Sequence, residues 1–239
     1  MNGKINIVVQ TPLLNPANFQ AIAAIEQQHA NMVALDWNLP PQTVSIGTQV
    51  DPTAWLNVIV GDTHLFPVNV LGEHEPADKN GNVIAYVSAH KTLTRAGAPF
   101  GSIVHGRKAT AFSKGTPDKL VSDGFMECLT HEIAESMVDP GVNKWALAKS
   151  KNQNWLVEVG DQAHAYLFII SYTDPKTKMV TQAVCADYTL PSFYQEGAKA
   201  PYSHTGKVSA PFTLDVGCYA KIIDATTGKP VAGSATDLD

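Results

Sequence analysis

The sequence predicts an α+β fold: a mixed β-sheet, a long N-terminal helix, and a second helix that carries histidine and carboxylate side chains. Three observations predict it. An alternating strand at Ile5–Gln10 precedes a helical stripe of Phe19, Ile22, Ile25, Met32 and Val33. Several strand-like runs then follow one another as far as Phe100–His105. Last comes Leu129-Thr130-His131-Glu132-Ile133-Ala134-Glu135-Ser136-Met137-Val138-Asp139-Pro140, in which polar residues alternate with apolar ones at helical spacing. The 239 residues are read as one domain, with sheet and helix over 1–139 and a loop-rich part over 140–239 that completes the site.

The elements follow in order. Asn15-Pro16 starts the first helix, Asn as cap and Pro at the first helical position, and the stripe ends near Asp36. Pro40-Pro41 breaks the chain before a short strand at Thr43–Thr48. Trp55–Val60 is apolar except for Asn57 and is bounded by Pro52 and Gly61-Asp62, the pattern of a central strand. Asn80-Gly81 marks a hairpin turn between Phe66–Leu71 and Val83–Ala89. Phe100–His105 is a strand that leads to a break at Gly115-Thr116-Pro117. Beyond residue 161, Ala165–Tyr172 and Met179–Cys185 pair across Asp174-Pro175-Lys176-Thr177. A stretch punctuated by Pro191, Gly197, Pro201, Gly206 and Pro211 runs to a strand at Cys218–Ile223, and the polar tail from Thr226 is weakly held.

Composition narrows the function classes. A net charge of −5 and a pI near 5.9, with no basic cluster, argue against a nucleic-acid partner. The longest apolar run, Ala165–Ile170, is far short of the ~20 residues that cross a bilayer, so no membrane role is expected. The first residues read as a strand rather than a signal peptide, which makes the cytoplasm the default, or a place in a larger exported particle. Three widely spaced cysteines make no disulfide framework, although Cys185 and Cys218 would pair in an exported protein.

The chemistry sits on the second helix. His131 and Glu135, four apart, lie one turn above the other on one face, with Glu132 beside them and Asp139 a turn later. Phe125, Leu129, Ile133 and Met137 supply an apolar stripe that buries the helix. Carboxylates and an imidazole held on a packed helix call for a cation. The pattern is the zinc-peptidase His-Glu-x-x-His helix with Glu135 in place of the second histidine, a change that shifts the site toward harder metals. In an ordinary amphipathic helix the same glutamates would be solvated.

Downstream, Asp139-Pro140-Gly141-Val142-Asn143-Lys144-Trp145 closes the helix, and Glu158-Val159-Gly160-Asp161 follows a polar loop. The run His-Glu-Ile-Ala-Glu, Asp-Pro-x-Val-Asn-x-Trp, Glu-Val-Gly-Asp resembles the Exordium-like (phosphate-induced) proteins and related bacterial metallopeptidases, which share a zincin-type helix. The likeness covers residues 129–161, and more loosely Leu190–Phe193, Pro201–His204 and Ala210–Leu214. Many of those relatives carry a cysteine soon after the Glu-x-Gly-Asp step, which this chain lacks.

The resemblance implies a zincin-like fold whose metal is held by His131, Glu135 and either Glu158 or Asp161, with Glu158 favoured and Asp161 then supporting a ligand from behind. A bound Zn²⁺ lowers the pKa of its water toward ~7 and polarises the scissile carbonyl, while Glu132 takes the water proton and passes it to the leaving amine. Substrate, a peptide or protein, would add as a strand to an edge of the sheet at Val83–Ala89 or Phe100–His105. Tyr202 and His204 are the candidates to stabilise the oxyanion. Glu158, Asp161 and His164 would share a face if their segment is helical. His29, His64, His74, His90 and His105 stand alone and are read as structural or surface residues. Two other readings stay open: a Ca²⁺-stabilised binding module, since carboxylates predominate, and a non-enzymatic assembly subunit with homo-oligomeric or other partners.

Overall fold

In the computed structural model, which describes residues 3–64, 66, 70–94, 98–104, 119–121 and 124–231, the chain begins with strand β1 at Gly3–Val9. Asn15 accepts the Ala17 N–H through its side chain, and a single 3₁₀ turn at Pro16–Asn18 leads into helix α1, Phe19–Asp36. That helix buries Ile22, Ile25, Ala30 and Val33 and returns the chain to β2, Gln42–Gly47, parallel to β1. Strand β3, Leu56–Gly61, pairs parallel to the other side of β1. All six of its residues are buried, so its unbroken apolar run is that of a strand covered on both faces. Its one polar residue, Asn57, is satisfied by Asn6 at 3.0 Å and the Asp51 N–H at 2.9 Å.

Next come β4 (Gly72–His74) and β5 (Val83–Ser88). Strand β5 lies parallel to β3 and antiparallel to β4, so the five-stranded sheet has the order β2-β1-β3-β5-β4. Two expectations change here. Val83–Ala89 is an interior strand rather than the edge, because β4 covers its outer side. The hairpin exists, but its first strand is Gly72–His74 rather than Phe66–Leu71, and residues 67–69 of that segment lie outside the described part.

A short helix α2, Ala89–Leu93, is capped by Ser88, whose hydroxyl accepts the Lys91 N–H. Strands β6 (Ser102–Val104) and β7 (Lys119–Val121) form a separate antiparallel pair, so Phe100–His105 is not an edge of the main sheet. His105 and the Gly115-Thr116-Pro117 break lie outside the described residues.

Helix α3, Phe125–Val138, packs against β4 and β5, against α1, and against β11 (Val180–Ala186) of the antiparallel hairpin β10–β11, whose β10 is Leu167–Thr173. Every residue of α3 is buried. The expected single apolar stripe is therefore too narrow a description, since a helix enclosed on all sides has no solvated face. Thr130 ties it to the hairpin: its hydroxyl donates to Met126 O at 2.8 Å and accepts the Ala186 N–H at 3.0 Å.

Strands β8 (Trp145–Ala148), β9 (Gln153–Leu156) and β12 (Ile222–Asp224) make a small antiparallel sheet over a second core of Trp155, Phe193, Phe212 and Ile222. The strand foreseen at Cys218–Ile223 is thus confined to its last residues and one beyond. Residues up to Val231 fold back on it, with Val231 N–H donating to Ile222 O at 2.9 Å, and the rest of the tail lies outside the described part. The architecture is a mixed α and β fold with several sheets and few helices. Among the described residues no helix is long and apolar enough to cross a membrane, and the three cysteines are free, Cys185 and Cys218 not being bonded to one another.

Candidate metal centre

Three segments converge beside α3. From the helix come His131, Glu132 and Glu135, all buried, so they are not the solvated residues of an ordinary amphipathic helix. From the loop after β9 come Glu158 and Asp161. From the edge strand β4 comes His74, whose side chain is only 5% exposed.

Close backbone approach makes this convergence possible. A Cβ on Gly160 would stand 2.6 Å from His131 Nδ1, and one on Gly72 would stand 2.6 Å from Cys128 Sγ and 2.8 Å from Glu132 Oε1. Glycine is therefore required at both positions for loop and strand to lie against the helix. Asp139 organises the exit of α3: its Oδ2 accepts the Lys144 N–H at 2.7 Å, and Lys144 Nζ bonds Val138 O. Val157 N–H then donates to Lys144 O at 2.9 Å, which delivers Glu158 to the helix.

The ligand atoms fall into two groups that share Glu135. In one, His131 Nε2 lies 3.2 Å from Glu135 Oε1 and 3.2 Å from Asp161 Oδ1. In the other, His74 Nδ1 lies 3.9 Å from Glu135 Oε2, and His74 Nε2 lies 4.0 Å from Glu158 Oε2. Within each group of three, one ligand atom per residue lies within 4.8 Å of the others. Glu132 Oε2 is 3.7 Å from His74 Nδ1. Glu135 Oε1 also accepts the N–H groups of Gly160 and Asp161, each at 3.2 Å, which fixes its carboxylate.

Electrostatically the cluster is overloaded with negative charge. Burial, and then Glu135, Asp161, Asp139 and Glu132, push the Glu158 carboxyl up to about 11. Asp161 is raised to about 7 by burial and Glu135, against the pull of His131. Glu132 is raised chiefly by burial. Burial would likewise raise Glu135, but His131 and His74 outweigh it and hold that carboxyl below its usual value. Burial disfavours the charged form of His131, yet Glu135 and Asp161 carry its imidazole well above the ordinary range. His74 is raised in the same way by Glu132 and Glu135. Several buried polar atoms have no hydrogen-bond partner: both oxygens of Glu158, Glu132 Oε2, Asp139 Oδ1 and His74 Nε2. Buried groups of this kind are ordinarily satisfied, and a cation satisfies several at once. An imidazole nitrogen and carboxylate oxygens at these separations fit a divalent ion.

The structure thus brings together His131, Glu132, Glu135, Glu158 and Asp161, and it separates the last two. Asp161, rather than the favoured Glu158, joins His131 and Glu135. Asp139 is buried at the helix end but belongs to neither group, its carboxylate being turned to the Lys144 backbone. Tyr202 and His204 are engaged elsewhere: Tyr202 donates to Ala198 O at 2.9 Å, and His204 Nδ1 meets Asp36 at 2.9 Å and the Tyr188 hydroxyl at 3.0 Å. A helical face of Glu158, Asp161 and His164 does not form, because only Asp161–Ala163 makes a single 3₁₀ turn; the His164 ring instead meets the His131 ring edge-on, centroids 5.9 Å apart.

Two residues were missed. His74 offered no spacing signal, since it reaches the site only through the pairing of β4 with β5. Tyr219, whose hydroxyl bonds Asp161 and whose N–H donates to Asp161 O at 3.1 Å, lies in a stretch without periodicity. Comparison with protein-family models, with curated proteins and with solved structures finds no match.

Proposed function

We propose that the protein is a zincin-like metallopeptidase in which His131, Glu135 and Asp161 hold a zinc ion. The observation that carries this reading is the His131 group itself: two ligand atoms from a wholly buried helix and a third, from Asp161, brought to them by the loop after β9, with Glu132, unpartnered at Oε2, one residue from His131. Two imidazoles in the cluster favour zinc over calcium, which takes oxygen ligands. When bound, the ion supplies Lewis acidity that makes water a nucleophile at neutral pH and polarises a carbonyl.

The residues of the chain do the rest. Glu132, whose carboxyl burial raises above its ordinary value, would accept the proton of the attacking water and return it to the departing amine. Tyr219, beside Asp161 where Tyr202 is not, brings a phenol to the cluster and would be the candidate donor to a developing oxyanion. Strand β4 ends the sheet order and lies against the helix, so an extended peptide can add to its outer side and bring a scissile bond to the cluster.

The test is elemental analysis of protein purified without chelator or affinity nickel, together with hydrolysis of a broad peptide library. Near-stoichiometric zinc and cleavage that a chelator abolishes support the reading. Zinc without cleavage of any peptide turns the site into a structural one and favours an assembly subunit, and calcium in place of zinc overturns the ligand assignment.

A further inference from the structure

We propose that the cluster takes two divalent cations side by side, with Glu135 bridging them and His74 and Glu158 completing the second site. The proposal rests on the metal reading of the His131 group and extends it to groups that a single ion leaves unexplained.

Glu135 is oriented as a bridge. Its Oε1 faces His131 and the Gly160 and Asp161 N–H groups, while its Oε2 faces His74. On that second side, His74 Nε2 and both oxygens of Glu158 are buried without a hydrogen-bond partner, and their side chains are only 5% and 8% exposed. The 3.9 and 4.0 Å separations from His74 to Glu135 and Glu158 are too long for hydrogen bonds. The two distances start from different ring nitrogens, of which an ion takes one; one ligand atom from each of the three residues lies within 4.8 Å of the others, close to the roughly 3–4 Å that separates donors about 2.0–2.2 Å from a metal.

Charge leads to the same count. Glu132, Glu135, Glu158 and Asp161 surround two imidazoles. One divalent ion beside His131 would leave Glu158 and Glu132 facing each other uncompensated across His74, and isolated charges of that kind are not kept buried. A second ion of the imidazole-binding class, zinc or a similar transition metal, compensates them. Paired ions about 3.5–4 Å apart, sharing a carboxylate, are an established arrangement for hydrolytic centres. Glu132 would then lie beside both sites.

The experiment is zinc titration of the chelator-stripped full chain, followed by metal analysis after desalting, for the parent, His74→Ala and Glu158→Gln. The proposal expects two zinc ions per chain in the parent and one in each variant, the remaining ion being lost on a further His131→Ala substitution. Glu158→Gln preserves shape and hydrogen-bonding capacity, so it decides the matter if His74→Ala fails to fold. One ion in the parent that neither variant affects overturns the second site and leaves the first standing. Two ions in the parent and in both variants place the second elsewhere and likewise overturn the proposal. No zinc in the folded parent overturns this site and the metallopeptidase reading together.

Discussion

Gly160 leaves open the space that the His131 ring occupies, a Cβ there falling 2.6 Å from Nδ1 and 2.7 Å from Cε1. The ring is set by a loop pressed against it, and the same loop donates the Gly160 and Asp161 N–H groups to Glu135. Gly160→Ala forces loop and ring apart and disturbs two ligands together. The expected outcome is a fall in zinc affinity of about 10–100-fold, the range for losing groups that orient ligands. Zinc competition against a chelating dye reads it. Unchanged affinity would mean that His131 is not placed by this contact.

Glu132 is the residue whose loss separates binding from chemistry. Glu132→Gln removes a proton acceptor while keeping the shape that fits beneath Gly72. Zinc content and melting temperature should stay near the parent's, while peptide hydrolysis falls by ~10²–10⁴ or more. Hydrolysis at the parental rate would exclude Glu132 as the base.

Thr130 tests the attachment of α3 to the β10–β11 hairpin. Thr130→Val keeps the volume but leaves the buried Ala186 N–H without its acceptor, at a cost of about 1–3 kcal/mol. Thr130→Ser should recover most of that loss. Urea unfolding measures both, and equal stability of Val and Thr variants would contradict the assigned role.

Away from the metal cluster, Glu26 makes a pH prediction. It is fully buried on α1, hydrogen-bonded to His29 at 3.1 Å, and burial raises its carboxyl above 4.5 despite the opposing pull of His29. A carboxyl raised by folding contributes its full stability below its unfolded value. As pH climbs, the unfolded chain releases its proton first, so that stability is lost up to the folded value. Glu26→Gln has no proton to lose. Its stability relative to the parent should therefore improve as pH rises above the ordinary carboxylate range, and a difference constant with pH would show that Glu26 does not titrate with folding.

Much of this was legible in the sequence, and the exceptions have physical reasons. Helix α1, strands β1 to β3 and the β10–β11 hairpin follow from local periodicity and from Asn15-Pro16. The His131 helix follows from its i, i+4 spacing, and the Glu-Val-Gly-Asp loop from its likeness to a known motif. What failed depended on pairing over distance. Strand β4 is three residues long and has no periodicity of its own, so local pattern points to its longer neighbour as the sheet edge. His74 went unrecognised because only that edge carries it to the helix. Tyr202 and His204 were chosen from a looser likeness, and their hydrogen bonds lead to Ala198, Asp36 and Tyr188. The order Glu158-Val159-Gly160-Asp161, at its shortened spacing, leaves open which carboxylate meets His131; in the structure Asp161 lies 3.2 Å from its Nε2.

The proposed chemistry depends on His131 holding a metal in this buried cluster. The most direct measurement is zinc binding to the chelator-stripped parent and to His131→Ala, read by dye competition and by the shift in melting temperature on adding zinc. Tight binding and a raised melting temperature are expected for the parent, since a ligand that binds only the folded state stabilises it, with loss of the His131 site and of most of that shift in the variant. A parent that takes up no zinc, or a His131→Ala protein that binds and is stabilised as the parent is, would contradict it.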